Sequence, residues 1–343
     1  MIKIEDCKTE LDAVIDWVQV TFKKIDYLEI MEHILQFDKA LMTYEGRGRF
    51  RYAGKWVFGG IEILVPPSDY PDMGFHIYMT GSACRSFEIY LNAQKRTWFD
   101  FFNDCLSYGG KFTRLDIAID DRKPYLNLNA VVKKMKKNEC VSNFENWTVL
   151  DSGTTTGKKA GCTINFGSRQ SLCFMVFYEK NYEQSQKTGL PPEAYGVWNR
   201  YEVRLRQEMA TNCVKEMVKR QSICFIGLEI INYYLRLVVE NKTDKNRSRW
   251  NTWKPWAQLM DGIGQLKLSM RPAPRTLEQK MHWVKTYVAP TLKMIQIRDD
   301  NLGEEFLKHI IEDTPLKENQ KKIVEDYLFS RKQIQEHQSI QEG

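Results

Sequence analysis

Residues 114–120, Arg-Leu-Asp-Ile-Ala-Ile-Asp, alternate between polar or small side chains and branched aliphatic side chains. A period of two predicts a β-strand, because successive side chains of a strand point to opposite faces of a sheet. Asp116, Ala118 and Asp120 then share one face, and the small alanine leaves space for an ion between the two carboxylates. The alternative is the solvated outer face of an antiparallel sheet, which shows the same alternation.

A second alternating stretch, residues 200–205, places Arg200, Glu202 and Arg204 on one face of another strand. If the two strands are neighbours, Glu202 adds a third carboxylate to the first two. Carboxylate oxygens suit Mg²⁺ or Mn²⁺, so Asp116, Asp120 and Glu202 are candidate ligands of a divalent metal. A ladder of cross-strand ion pairs is the alternative.

A third stretch, residues 173–183, is a strand pattern that ends at Tyr178, with Lys180 two residues later. The pKa of an ordinary tyrosine is near 10, so its hydroxyl is a poor nucleophile at neutral pH unless a cation or a base assists it. Lys180 and a bound metal could give that assistance. The alternative is a tyrosine that closes the strand by packing, with its hydroxyl at the surface.

Around these stretches the sequence predicts an α+β protein. Strand patterns occupy residues 13–22, 112–120, 162–166, 172–178 and 198–207, and helical spacing occupies residues 26–37, 84–107 and 128–138. Strand patterns become scarce after residue 208. We expect an antiparallel-sheet catalytic core with flanking helices in residues 1–208, followed by a mainly helical, basic DNA-binding region with an acidic tail in residues 209–343.

The charge distribution supports this division. The net charge is +6, of which residues 1–209 hold +1, residues 210–300 hold +8 and residues 301–343 hold −3. Within the basic part, Lys and Arg side chains alternate with tryptophan rings. The cations can neutralise phosphates, and unstacked bases can stack on the rings. The candidate DNA-binding residues there are Lys242, Lys245, Arg247, Arg249, Trp250 and Trp253. The alternative is a tryptophan cluster that packs helices beside a solvated basic loop.

Other classes of protein fit the sequence poorly. The eight cysteines are scattered without a CxxC pair, which argues against a disulfide framework and structural zinc. The Gly- and Thr-rich residues 153–159 have the wrong spacing for a phosphate-binding loop and predict a hairpin loop. The first residues do not resemble a signal peptide, and no apolar stretch is long enough to span a membrane. We expect a reduced, cytoplasmic protein.

Taken together, the motifs resemble the Rep_trans replication-initiation-factor family, which includes rolling-circle initiators of plasmids and MobT-type relaxases of integrative conjugative elements. The plasmid initiators are similar through residues 112–116, the Phe-Gly-x-Arg motif that ends at Arg169, residues 178–180 and the strand around Glu202. The relaxases resemble the chain more closely, through residues 85–121, 177–184, 199–205 and 271–293 in the same order.

The resemblance implies a metal-dependent enzyme that nicks one DNA strand and becomes joined to the 5′ phosphate, leaving a free 3′ hydroxyl. Tyr178 matches the nucleophile of the family, with Lys180 and Arg169 as further catalytic candidates and Tyr182 as the fallback nucleophile. Asp116, Asp120 and Glu202 fall on its acidic strands. The arginines of those strands are candidate DNA-binding residues: Arg114, Arg200 and Arg204.

The resemblance also implies partners. These are single-stranded and duplex origin DNA, a helicase or a conjugation coupling protein, and a second copy of the chain. Longer relaxases begin with a helix-turn-helix domain, whereas this sequence starts directly at the strand of residues 13–22. We therefore expect origin specificity to come from residues 210–300 here. Two other hypotheses remain open: a metal-dependent nuclease that uses water, and a noncatalytic DNA-binding protein on the same scaffold.

Overall fold

A ten-stranded antiparallel sheet forms the centre of the computed structural model, which describes residues 11–268, 277, 280–281, 284–318, 320–325 and 327–328. The strands of the chain are β1 Leu11–Phe22, β2 Thr43–Glu45, β3 Gly54–Phe58, β4 Ile61–Val65, β5 Phe75–Met79, β6 Lys111–Asp121, β7 Cys140–Ser142, β8 Trp147–Gly153, β9 Lys159–Phe166, β10 Cys173–Glu179, β11 Asn199–Arg206 and β12 Leu235–Leu237. The large sheet has the order β2-β3-β4-β5-β1-β6-β11-β10-β9-β8, and β7 pairs with β12 in a separate sheet.

Helices flank the sheet and follow it. They are α1 Tyr27–Glu29, α2 Gly81–Ala93, α3 Trp98–Ser107, α4 Leu128–Lys136, α5 Lys180–Thr188, α6 Gln207–Arg220, α7 Cys224–Tyr234, α8 Lys254–Leu259, α9 Ala289–Leu302 and α10 Phe306–Glu312. Two π-helical segments, Ile30–Leu35 and Val284–Val288, lie directly after α1 and before α9. Single 3₁₀ turns occupy Lys39–Leu41, Pro71–Met73, Pro192–Tyr195 and Arg247–Arg249. The α+β fold class is confirmed.

One face of the sheet forms the hydrophobic core with the helices. Leu115, Ile117 and Ile119 of β6 are completely buried there, and α6 and α7 pack against them. A side chain at Gly227 of α7 would place its Cβ 3.0 Å from Ile119 Cδ1, so glycine allows this close approach. Each buried isoleucine stabilises the fold by roughly 1.5–3 kcal/mol. The core therefore holds β6 firmly, and its polar residues project from the opposite face.

The single helix predicted over residues 84–107 is wrong, because the chain forms two helices there. Helix α2 ends at Ala93, and Thr97 begins α3 as its N-cap. The Thr97 hydroxyl accepts a hydrogen bond from the Asp100 amide, and the Asp100 carboxylate accepts one from the Thr97 amide. This capping box starts a new helix where the periodicity alone suggested continuation. The predicted strands and the hairpin of β9 and β10 are confirmed.

Two compact units divide the chain, Met1–Ser269 and Met270–Gly343. Helix α6, which begins at Gln207, and helix α7 belong to the first unit, and their Val214 and Ile226 are buried in the core beside the sheet. In the second unit, α9 and α10 contact one another, and the Asp299 carboxylate accepts a hydrogen bond from the Leu307 amide at 2.9 Å. Among the described residues, no helix is long and apolar enough to cross a membrane.

Candidate active site

A groove with a volume of about 860 Å³ crosses the polar face of the sheet. Its floor is formed by β6, β11, β10 and β9, and the first residues of α2 and α5 line its sides. Helices cover the other face of these strands. Every second side chain therefore points away from the helices and into this groove. The three stretches singled out in the sequence meet in it.

Tyr178 lies at the end of β10, opposite Arg200 of β11. Its hydroxyl donates a hydrogen bond to Glu202 Oε1 at 2.7 Å, and Lys180 Nζ donates to the same hydroxyl at 3.3 Å. Burial, and then the negative charge of Glu202, raise the pKa of Tyr178 well above its usual value. The hydroxyl therefore keeps its proton at neutral pH and donates it in a hydrogen bond to the Glu202 carboxylate.

Lys180 is the first residue of α5 and is a buried part of the groove lining. Its ammonium also contacts Glu183 Oε2 at 2.5 Å, and Lys187 contacts the other oxygen of that carboxylate. Burial raises the pKa of Glu183, but the two lysines outweigh it and lower the pKa overall. Glu183 thus stays ionised and holds Lys180 beside Tyr178. This glutamate was not predicted from the sequence, although Lys180 and Glu183 have the i, i+3 spacing of helical ion pairs.

Asp120 is fully occupied by protein partners. Both of its oxygens accept hydrogen bonds from Arg200, each at 2.7 Å, and Trp198 Nε1 donates to Oδ1 at 2.7 Å. Asp120 and Arg200 are both buried. Burial lowers the pKa of Arg200, but its hydrogen bonds to Asp120 raise it overall. This pair is a structural link between β6 and β11.

Asp116 and Glu202 are also paired with arginines. Arg114 donates to both oxygens of Asp116, at 2.9 and 2.6 Å, and Arg204 donates twice to Glu202 Oε2, at 3.0 and 2.6 Å. Arg204 also lies 3.8 Å from Asp116. Burial raises the pKa of Asp116, although Arg114 opposes this effect. Two of these ion pairs therefore lie within a strand, and Arg200–Asp120 and Arg204–Asp116 cross between β11 and β6, so the cross-strand ladder of the alternative interpretation is present only in part.

The predicted group of three metal ligands does not converge. Asp116 and Asp120 are four residues apart on β6, or about 13 Å at ~3.3 Å per residue. Among the residues that the structure describes, no three His, Cys, Asp or Glu side chains are arranged to hold a metal ion. The solvated outer face is also wrong, since Asp116 is 3% and Asp120 6% exposed. Asp116 and Glu202 both line the groove, where a divalent ion would have to displace the arginines that hold their oxygens, whereas Asp120 does not line it.

The two remaining catalytic candidates lie at different ends of the groove. Tyr182 is one turn along α5, next to Gly161 of β9, with Lys159 Nζ 5.4 Å from its ring centre. Arg169 lies in the turn between β9 and β10, which is the end of β10 away from Tyr178. Both line the groove, but only Tyr182 is on the element that carries Lys180.

The structure does not bring the basic segment, residues 242–254, to Tyr178. Asn165 of β9 lines the groove, whereas the next residue, Phe166, lines a separate cavity of about 690 Å³ together with Lys245 and Arg247. Successive residues of a strand face opposite sides, so this cavity lies behind the sheet.

The tryptophans of the basic segment are engaged by the protein itself. The Trp250 indole donates to the Asp244 carbonyl at 2.5 Å, and Trp253 packs against the core with Lys134 Nζ 5.3 Å from its ring centre. Arg249 is paired with Asp244 through two hydrogen bonds of 2.7 Å. Of the predicted DNA-binding cations, Lys242, Lys245 and Arg247 are exposed without a carboxylate partner among the described residues, and Arg247 donates to the Asn138 carbonyl. DNA binding by this segment stays a prediction.

Residues of β1 enter the groove through a register shift that the alternation did not indicate. The pairing of β1 with β6 shifts between Ile15 and Trp17, which turns Asp16 toward the groove. Asp16 Oδ1 lies 3.6 Å from Arg200 Nη1, and the ring of Trp17 lies 3.8 Å below the Arg114 guanidinium. No sequence signal marks the shift, so both residues were missed.

Comparison with known proteins gives consistent matches along the chain. A family model described as Replication initiation factor, Rep_trans, matches residues 110–311, and one described as Rolling Circle replication initiation protein N-terminal domain matches residues 12–104. A Bacillus subtilis (strain 168) protein named "Putative DNA relaxase NicK" is 36% identical over 329 residues, which are 95% of this chain and 92% of that protein.

A solved structure matches as well. The rolling circle replication initiator protein from Geobacillus stearothermophilus superposes with a TM-score of 0.64 and 28% sequence identity. The match covers 76% of this chain and 100% of the other.

Proposed function

The chain belongs to the Rep_trans family of replication initiation factors, and on that premise we propose that it is a site- and strand-specific DNA nicking and closing enzyme whose nucleophile is Tyr178. It acts as a relaxase or as a rolling-circle replication initiator on origin DNA. One observation carries the proposal: the Tyr178 hydroxyl lies between the carboxylate of Glu202 and the ammonium of Lys180. A base and a cation on the same hydroxyl are what activation of a tyrosine requires.

In the cutting step, Tyr178 Oη attacks the phosphorus of one phosphodiester and forms an oxygen–phosphorus bond, while the bond from phosphorus to the 3′ oxygen breaks. The tyrosine proton passes to Glu202 Oε1, and the departing 3′ oxygen takes a proton from water. Lys180 stabilises the negative charge that develops on the phenol oxygen. The products are a 5′-phosphotyrosine and a free 3′ hydroxyl. Closing is the reverse reaction, because the phosphotyrosyl bond retains the energy of the diester.

Divalent metal dependence is part of this proposal. Asp116 and Glu202 would hold Mg²⁺ or Mn²⁺, which would neutralise charge on the scissile phosphate when bound. Asp120 is left out of this set because, unlike Asp116 and Glu202, it does not line the groove. Arg204 contributes through its position between the two ligands, where its guanidinium can exchange a carboxylate for a phosphate.

The test is a cleavage assay with single-stranded oligonucleotides from the origin, labelled at the 5′ or the 3′ end, in the presence of Mn²⁺. We expect the wild-type chain and Tyr182→Phe to form an adduct that survives denaturing electrophoresis, and Tyr178→Phe to form none. Tyr182 is the matched control because it lines the same groove.

Each alternative has its own outcome in this assay. An adduct that persists in Tyr178→Phe would show that another residue is the nucleophile. Cleavage without any adduct would support the nuclease that uses water. Salt-sensitive binding without cleavage, retained when the carboxylates are replaced, would support the noncatalytic DNA-binding protein.

A further inference from the structure

Four arginines lie along and just beyond the part of the groove that leads away from Tyr178: Arg114, Arg169 and Arg204 line the groove, and Arg206 continues the same face of β11 beyond them. Arg114, Arg204 and Arg206 project from the same face of β6 and β11, and Arg206 lies directly opposite Arg114 in the strand pairing. The turn that carries Arg169 joins this end, because the Arg206 amide donates to the Leu172 carbonyl at 2.9 Å. Only two of the four arginines have carboxylate partners among the described residues, namely Asp116 for Arg114 and Glu202 for Arg204.

Arg206 is the unusual member of this group. Across the part of the chain that the structure describes, no carboxylate lies within 4 Å of its guanidinium, and its buried Nε has no hydrogen-bond partner. Burial and then the positive charge of Arg114 lower the pKa of Arg206. A half-buried guanidinium beside two others costs stability unless an anion neutralises it. Nothing in the fold requires a cation here, since the Leu172 contact is made by the backbone.

We propose that Arg206, assisted by Arg169, binds a backbone phosphate of the DNA strand whose scissile phosphate lies at Tyr178. The inference rests on the proposed function for the position of that strand. Arg206 is six residues along β11 from Arg200, the partner of Tyr178, which is about 20 Å at ~3.3 Å per residue. In this proposal the DNA strand runs along β11, and Arg206 holds it several nucleotides from the cut. Arginine suits this task because its fork can donate two hydrogen bonds to one phosphate.

The first test measures binding and needs no cleavage. Fluorescein-labelled single-stranded dT20 is titrated with the full chain by anisotropy at several salt concentrations. Arg206→Ala should bind about tenfold more weakly at low salt, which is the contribution of one charge-assisted hydrogen bond. The slope of log K against log salt should fall by about 0.7, the value for one phosphate contact on a single strand. Arg206→Lys should recover part of both losses.

Lys219→Ala is the matched control, since this exposed lysine lies at the far end of α6 and its replacement removes the same charge. The melting temperature of Arg206→Ala should be equal to or above that of the wild type, because like-charge repulsion is relieved. Wild-type affinity and salt slope in Arg206→Ala, or equal weakening in Lys219→Ala, would overturn the proposal.

A second test locates the phosphate. Single methylphosphonates, which remove the charge of one phosphate, are placed along an oligonucleotide that contains the nick site, with Tyr178→Phe used to prevent cutting. At one position several nucleotides from the scissile phosphate, the methylphosphonate should weaken the binding of the Tyr178→Phe chain. The double variant Tyr178→Phe/Arg206→Ala already lacks that contact, so the same methylphosphonate should not weaken its binding further. The same losses in both chains at every position would refute the contact. Failure of the nicking reaction would leave the dT20 result intact, so the two proposals fail separately.

Discussion

At the scale of single residues, Glu202 has the most direct bearing on the chemistry. We expect Glu202→Gln to slow adduct formation by roughly 10²–10⁴-fold at pH 7, because general-base assistance is lost. Glu202 is also one of the charges that raise the pKa of Tyr178, so the variant tyrosine should ionise more easily. Its rate should therefore rise more steeply than the wild-type rate between pH 7 and pH 10. Single-turnover adduct formation across that range measures both effects.

Glu193→Gln serves as the control for that experiment, because Glu193 is exposed and does not line the groove. A wild-type rate for Glu202→Gln at pH 7 would contradict the role of base. A slow rate that stays flat up to pH 10 would contradict the influence of Glu202 on the Tyr178 hydroxyl.

His76 makes stability depend on pH. Its Nδ1 is 2.8 Å from Thr21 Oγ1, its Nε2 is buried without a hydrogen-bond partner among the described residues, and burial lowers its pKa to about 4. The His76 imidazole takes up a proton near pH 6.5 in the unfolded chain but only near pH 4 in the folded chain. The free energy of unfolding therefore falls as the pH drops between these values. The decrease is up to roughly 3 kcal/mol.

Urea unfolding at pH 7 and at pH 4.5 compares the wild type with His76→Gln, which cannot take up the proton. The wild type should lose more stability than the variant over this interval, since its acidic groups titrate alike in both chains. Equal decreases would show that His76 is not protonated on unfolding.

At the scale of elements, the strands followed from the sequence because buried and exposed residues alternate along them. Tyr178, Lys180 and Glu202 could be predicted as candidate catalytic residues for the same reason. Their hydrogen bonds to one another could not be predicted, because alternation indicates the face of the sheet on which a residue lies and not its neighbour on the next strand. Asp120 appeared equivalent to Asp116 in the sequence, and only the register of β11 shows that Arg200 and Trp198 occupy it.

The basic segment, residues 242–254, supports a prediction at this scale. Replacing Lys242, Lys245 and Arg247 with alanine should weaken binding to origin duplex DNA and reduce its salt slope by about 0.9 for each phosphate that is no longer neutralised. Cleavage of a short single-stranded oligonucleotide should be unchanged, because Lys245 and Arg247 line the cavity behind the sheet. Anisotropy with a duplex and the adduct assay measure the two effects.

A control for that variant replaces Lys23, Lys24 and Lys95, which are also exposed, and removes the same net charge. Equal weakening in both triple variants would show a general effect of charge. Slower cleavage of the short oligonucleotide in the first variant would place the segment in the path of the single strand.

At the scale of the whole molecule, the compact units change how the charge is divided. The sequence suggested a neutral catalytic part and a basic part after residue 208. The unit Met1–Ser269, however, holds 38 basic and 32 acidic residues, and Met270–Gly343 holds 12 of each. The entire net charge of +6 therefore belongs to the unit that contains the groove. Electrostatic attraction of DNA does not require the second unit.

Truncation tests this division of the chain. A chain that ends at residue 269 should fold, bind single-stranded dT20 with the affinity and salt slope of the full chain, and form the adduct.

A chain that ends at residue 208 should not fold, because it lacks nearly all of α6 and the whole of α7, whose Val214, Met217 and Ile226 are completely buried against the sheet. Each buried side chain of this kind contributes roughly 1.5–3 kcal/mol, so the loss of the three is comparable with the usual net stability of a domain, about 5–15 kcal/mol. Circular dichroism and melting curves distinguish the two chains. A cooperative melting transition in the shorter chain would show that the sheet is stable without these helices, and failure of the longer one to bind dT20 would assign DNA contacts to residues 270–343.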